Sequence, residues 1–185
     1  QQWHGLDVRG VRLNYKFSKT VVSKTDLQPC YANMPRKLRP IKAWSVGLYA
    51  NMEVLDHVQP LVSELGVKIV LEHFASPVVL LLGSARQPGW DALHSMMKDP
   101  RVYVKFSAPY LFSSDSGAKE FESLATSLLI MRNGEGLVIS SDWPRTQSRG
   151  YYVTPFMEKA VKWCNGDGEL QNKLFRDNPR ELWDV

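Results

Sequence analysis

Apolar residues along this chain fall into two patterns that take turns. Five short runs, Val8 to Tyr15, Ser45 to Ala50, Val67 to Glu72, Val102 to Ser107 and Leu137 to Ser141, are rich in Val, Ile, Leu and Tyr. Gly, Pro, Asn, Asp or Ser bounds each, which marks them as strands. Several are apolar on both faces, the pattern of parallel strands covered on both sides. Between them the spacing shifts to three and four. Met52 to Leu65 places Val54, Leu55, Val58, Leu61, Val62 and Leu65 on one helical stripe, with Pro60 expected to kink it and Gly66 to cap it. Pro88 opens a second helix, Ser116 or Gly117 a third, and Thr154 is expected to cap a fourth. The last should run from Glu169 to Arg176 and stop before Asn178-Pro179.

Strand and helix therefore alternate at intervals of roughly 23 to 35 residues, the spacing of βαβ units in a parallel sheet. No GxGxxG follows the first strand and no GxxxxGK[ST] occurs, so the dinucleotide and P-loop versions of a doubly wound sheet lack their signatures. The strand ends carry Asn14, Tyr49, His73, Lys105, Ser107 and Asp142 instead. Polar side chains at the carboxyl ends of several parallel strands are how a TIM barrel assembles a site. The expectation is an α/β fold, a partial (β/α)8 TIM-like barrel of about five parallel strands that lacks the N-terminal strands. A complete barrel needs at least about 200 residues, and this chain has 185. It forms one domain, residues 1–185, with no linker or repeat beyond the βα unit. The stretch from Lys16 to Lys42, holding Pro29, Pro35 and Pro40, is expected to be a long functional loop.

Composition narrows the classes. The chain is 44% hydrophobic and holds six Trp, seven Tyr and seven Phe, too much apolar surface for a disordered segment. The six Trp and the Met96-Met97 pair are expected in the core. The longest apolar run, around Pro77 to Leu82, is far short of a membrane span, and Gln1 follows no charged-then-apolar leader. The expected location is the cytoplasm, and the chain reads as processed or as a piece of something longer. Cys30 and Cys164 form no CxxC or Cys-His spacing and are expected as two thiols. The net charge of +4 is uneven: residues 1–42 carry nine Lys/Arg against Asp7 and Asp26. Those charges are dispersed and accompany no nucleic-acid-binding pattern, so a nucleic-acid partner is not expected.

Three segments carry candidate chemistry. In Leu137-Val-Ile-Ser-Ser-Asp142-Trp-Pro144, a carboxylate directly after an apolar strand can take a proton from water or bind a metal; it can equally just cap the next turn. In Val70-Leu-Glu-His73-Phe-Ala-Ser-Pro77, an imidazole ends a buried strand, where it can bind metal, move a proton or orient a carbonyl. His4, His57 and His94 are expected to be surface or packing residues. In Val102-Tyr-Val-Lys105-Phe-Ser-Ala-Pro-Tyr110, a Lys within an apolar strand either snorkels outward or meets a carboxylate or anionic ligand inside. Arg12 poses the same choice. Two inward cations would suit a substrate bearing carboxylates. No HxH or HExxH occurs.

Taken in order, DVRGVRLNY, WSVGLYA, GVKIVLEHFASP, PGWDALHSM, RVYVKFSAPY, GLVISSDWPRTQS and LFRDNPRELW resemble the amidohydrolase-related family, the amidohydrolase 2 branch of the metal-dependent hydrolases. That branch includes dicarboxylate lactonases and decarboxylases. The resemblance runs from about Asp7 to Trp183 and implies a distorted barrel with its site at the strand C-termini. It implies that Asp142 activates water or ligates a metal, and that His73 is a metal or substrate ligand. Tyr49, Lys105 and Arg12 would then line the pocket as substrate-binding residues. The implied activity is hydrolysis of a lactone or related carbonyl of a small carboxylate-bearing substrate. The implied cofactor is a divalent metal such as Zn, although lactonases of the branch can work without one. Two departures stand out: the family's first-strand HxH is missing, and Arg145 follows Trp-Pro where His is often found. The competing expectations are a decarboxylase, or a non-catalytic fragment that self-associates through exposed barrel edges.

Overall fold

The computed structural model describes residues 3–16, 44–78, 87–112, 119–148 and 150–185. Five parallel strands form one sheet: β1 (Gly10–Asn14), β2 (Ser45–Tyr49), β3 (Lys68–Leu71), β4 (Val102–Phe106) and β5 (Leu137–Ile139). Their order in space is their order in sequence. Doubly wound sheets reverse direction at a switch point. A sheet that always adds the next strand on the same side is instead an arc of a barrel, and this one is a partial (β/α)8 barrel.

Pairing of β1 with β2 runs from Gly10↔Ser45 to Asn14↔Tyr49. Further along, Gly47 pairs with Val70 and Val70 with Tyr103, so one inner layer reads Arg12, Gly47, Val70, Tyr103. Side chains alternate between faces along a strand, and the two faces have different partners. Val46, Leu48, Ile69, Leu71, Val102, Val104, Phe106 and Leu137 point to the helices and share one core with Leu55, Val58, Leu93, Phe121, Leu128 and Trp163. The other face packs Val70, Tyr103 and Val138 against Leu182 and Trp183 from the end of the chain.

The helices follow the sequence pattern with two differences, at Thr154 and at the end of the chain. The Met52 to Leu65 stripe is broken at Pro60 into α1 (Leu55–Val58) and α2 (Val62–Leu65), with 3-10 turns at Met52–Val54 and Gln59–Leu61. Gly66 ends it in the left-handed region at φ 62°, as a glycine can without strain. Next come α3 (Trp90–Met96), α4 (Lys119–Ile130), α5 (Arg145–Ser148), α6 (Thr154–Trp163) and α7 (Gly168–Asn172). Thr154 lies inside α6 rather than capping it: Val153 is the cap residue and no side chain closes that end. The last helix does not stop before Asn178-Pro179. A π-helical turn, Lys173–Asp177, leads into α8 (Asn178–Trp183), because Pro179 sits in the first turn, where its missing N–H costs nothing. Buried Asn178 anchors this join, donating from Nδ2 to the carbonyls of Gly134 and Leu137 at 2.8 and 2.7 Å.

Tryptophan usage also differs from expectation. Trp163 is buried, but Trp3 and Trp143 are 66% and 72% exposed. Met96 and Met97 are in the core. Cys164 is a buried free thiol, its pKa pushed up by burial and then by Asp167; Cys30 lies outside the described residues. So does most of the Lys16 to Lys42 stretch, together with six of its basic side chains. Among the described residues no helix is long and apolar enough to cross a membrane.

Candidate active site at the strand C-termini

The site is built where strand alternation breaks down. Ile69 and Leu71 point to the helices, so an unbroken pleat would send residue 73 there too. Instead His73, Phe74, Ala75 and Ser76 all adopt left-handed φ values of 53°, 55°, 59° and 52°. Four such residues cost on the order of 1 kcal/mol each. The turn reverses the faces: His73 swings into the barrel mouth and Phe74 drops into the helix-side core. Phe74 is fully buried, stacks on Phe106 at 4.4 Å and meets Phe121 edge-on at 4.7 Å. Its N–H donates to the Lys105 carbonyl at 2.9 Å, and the Ser76 carbonyl accepts from Met52 N–H at 3.0 Å. These contacts hold the turn open.

His73 collects the other candidates. Its Nδ1 lies 2.8 Å from Ser107 Oγ, and its Nε2 lies 3.3 Å from Arg12 Nη2. A guanidinium only donates, so Nε2 must accept, which places the ring proton on Nδ1, donating to Ser107. Tyr49 meets the ring edge-on at 4.7 Å, and Arg12 Cζ stands 4.9 Å from the Tyr49 ring centroid. Burial drives the His73 pKa down to about 4; the Asp142 and Glu72 carboxylates oppose this, while Arg12 and Lys105 add to it. The imidazole is therefore neutral at pH 7. Burial likewise raises the pKa of Tyr49.

Asp142 reaches the same place from β5. It too has a left-handed backbone, φ 60°, and its carbonyl accepts from the Arg145 and Thr146 N–H groups at 2.9 and 3.3 Å. It thus opens α5 with its main chain while its carboxylate faces inward. The turn-forming role anticipated for it is observed, and its carboxylate stands beside His73. Oδ1 stands 3.9 Å from His73 Nε2, and Oδ2 accepts a hydrogen bond from the Tyr110 hydroxyl.

The Lys105 alternative is resolved by Glu72. Lys105 Nζ lies 3.1 Å from Glu72 Oε1, both largely buried on the inner face, with Nζ also 5.8 Å from the Trp183 ring centroid. Gly47 makes room for this crossing: a Cβ there would lie 3.0 Å from Glu72 Oε1 and 3.6 Å from Arg12 Cγ. A cavity of about 440 Å³ runs along the inside of β1 and β2. It shares Arg12, Gly47 and Glu72 with the site but is lined by neither His73 nor Asp142. The convergent polar groups are at the His73–Asp142 cluster; the cavity lies along the strands, off that cluster.

Of the five residues singled out by sequence, the structure brings Arg12, Tyr49, His73 and Asp142 together and ties Lys105 to the adjoining Glu72. Sequence reasoning placed Ser107 among the polar strand ends without a specific role and did not single out Tyr110 or Glu72. Ser107 and Tyr110 do follow the apolar run of β4 on the mouth side, and that position was the available signal. Among the described residues no three His, Cys, Asp or Glu side chains converge as a metal site. His73 and Asp142 supply two donors, and a guanidinium sits at 3.3 Å from the nitrogen that would ligate. Among the described residues these two donors do not by themselves make a divalent-metal site.

Comparison with known proteins agrees with the fold. A family model described as Amidohydrolase matches residues 1–185. No curated protein matches the chain. A structure described as a 2-pyrone-4,6-dicarboxylic acid hydrolase from Pseudomonas putida is 23% identical with TM-score 0.75, covering 99% of this chain and 66% of that one. A protein of the same description from Acinetobacter baumannii, solved with citric acid bound, is 22% identical with TM-score 0.75 over 100% of this chain and 67% of that one. An amidohydrolase from Burkholderia multivorans with bound zinc is 16% identical with TM-score 0.73, covering 96% of this chain and 65% of that one. The chain thus spans 66% of the length of the P. putida structure, and at these identities the likeness is one of fold.

Proposed function

The chain belongs to the amidohydrolase family, and on that footing we propose that it hydrolyses a cyclic ester of a small, carboxylate-bearing substrate, with Asp142 activating the water. The observation that carries this reading is the 3.9 Å approach of Asp142 Oδ1 to His73 Nε2 at the mouth. That gap is too long for a direct hydrogen bond. The single lone pair of Nε2 is already taken by Arg12, so a water at the mouth donates one O–H to Asp142 Oδ1 and turns its lone pairs outward. The water oxygen attacks the ester carbonyl carbon as its proton passes to Asp142. Collapse of the oxyanion then breaks the ring C–O bond, and the leaving oxygen takes that proton back from Asp142.

Polarisation of the carbonyl falls to Arg12 rather than His73, because an accepting Nε2 has no proton to donate. The guanidinium has five N–H groups; one is directed at His73, and the rest of the fork can meet the oxyanion or a substrate carboxylate. Tyr49 lines the same wall. Lys105 acts at one remove, since its charge is met by Glu72. The substrate class is supported by two relatives described as acting on 2-pyrone-4,6-dicarboxylic acid, a ring ester with two carboxylates, and by the citric acid bound in one of them.

The test is hydrolysis of 2-pyrone-4,6-dicarboxylate, followed by loss of ring absorbance. Asp142→Asn keeps an acceptor for Tyr110 and is expected to lower kcat by about 10³-fold. Equal activity in that variant would sink the assignment of the base. Failure of the unaltered protein on every cyclic ester tried would favour a non-catalytic role.

A further inference from the structure

Tyr110 is joined both to the carboxylate and to the far end of the segment that carries it. The 3-10 turn Pro109–Leu111, entered through Ala108 at φ 51°, sets Tyr110 at the end of β4. From there its hydroxyl donates to Asp142 Oδ2. Its ring stacks on Tyr151 with centroids 4.2 Å apart and planes 13° from parallel. Tyr151 is itself tethered, its N–H donating to the Thr146 carbonyl at 3.0 Å, while Thr146 N–H donates to the Asp142 carbonyl. The contacts close a ring: Asp142, α5, Thr146, Tyr151, Tyr110 and Asp142 again.

We propose that Tyr110 is a positioning residue for Asp142 and that Tyr151 acts through Tyr110, so that the segment bearing the carboxylate also bears its clamp. The proposal rests on the reading of Asp142 as the base. A carboxylate on a short loop has two torsions to rotate about. The Tyr110 hydrogen bond fixes one oxygen, which leaves Oδ1 directed at His73. A phenol can hold that direction only if its own ring is held. Tyr110 is partly exposed, with one face covered by Tyr151. Tyr151, 47% exposed at the mouth, is otherwise a large aromatic side chain with little burial to explain it.

The test is a double-mutant cycle with Tyr110→Phe, Tyr151→Leu and the pair, plus Tyr151→Phe as the conservative control. Tyr110→Phe keeps the stack and loses the hydroxyl. It is expected to lower kcat about tenfold with KM changed less than about twofold, as befits loss of one charge-assisted hydrogen bond. Tyr151→Leu should lower kcat in the same way, Tyr151→Phe should restore it, and the pair should lose no more than Tyr110→Phe alone. Losses that multiply in the pair would overturn the relay, as would an unchanged kcat in Tyr110→Phe. The second readout does not need turnover: the Asp142 carboxyl ¹³C resonance at fixed neutral pH, identified by its absence in Asp142→Asn. It should move in Tyr110→Phe and Tyr151→Leu and stay in place in Tyr151→Phe. A resonance unmoved by either loss refutes the clamp. A resonance that moves as expected while Asp142→Asn retains full activity refutes the base and leaves the clamp standing.

Discussion

Acidification should destabilise this protein through one imidazole. His73 is buried between Arg12 on Nε2 and Ser107 on Nδ1, and burial brings its pKa down to about 4. In the unfolded chain an imidazole titrates near 6.5. Between those values the unfolded state binds a proton that the folded state refuses, so stability rises with pH across that window. The contribution is fully present above about 6.5, declines as pH falls, and is gone below about 4. The whole interval is worth about 3 kcal/mol, and the part above pH 5 about 2 kcal/mol. Urea unfolding at pH 7.5 and pH 5.0 measures it, with the protein compared to His73→Gln, which cannot titrate but can still hydrogen-bond Ser107. The unaltered protein should lose about 2 kcal/mol more than the variant between the two pH values. Equal losses would refute the burial argument, and with it the neutral, Nδ1-protonated ring on which the proposed chemistry depends.

Other outcomes follow from the same geometry. Phe74→Ala removes the anchor of the left-handed turn and should cost about 3–5 kcal/mol in urea unfolding at pH 7.5; a cost under about 1 kcal/mol would mean that the turn is held by something else. Lys105→Met leaves the Glu72 carboxylate buried without its partner and should cost about 3 kcal/mol. Adding Glu72→Gln should recover most of that, and an unrecovered double variant would show that the pair is not the source.

Much of the scaffold was legible in the chain because strands and helices write their periods locally. All five expected strands are found, each within one to two residues of its expected ends, and the break at Pro60 and the cap at Gly66 follow from side-chain chemistry alone. The end of the chain was not legible. Asn178-Pro179 looks like a stop, yet there Pro179 opens a helix, because buried Asn178 has two carbonyls to bind, Gly134 just before β5 and Leu137 at its start. Two tryptophans expected inside stand in solvent, since an aromatic count does not say which side of a turn each ring takes.

By itself the sequence determined the α/β alternation, the absence of a dinucleotide signature, and the set of polar residues at strand ends from which the site is drawn. Strand order decided between a doubly wound sheet and a barrel arc, and order is a property of pairing across tens of residues that no local period encodes. Tertiary structure also decided which residues face one another. Alternation along β3 would have aimed His73 at the helices; four left-handed residues, held by the burial of Phe74, aim it instead at Arg12 and Asp142. Lys105 was an open choice until Glu72 from the neighbouring strand met it. Such pairings depend on register and on backbone strain supported by the core, and neither exists until the chain has folded.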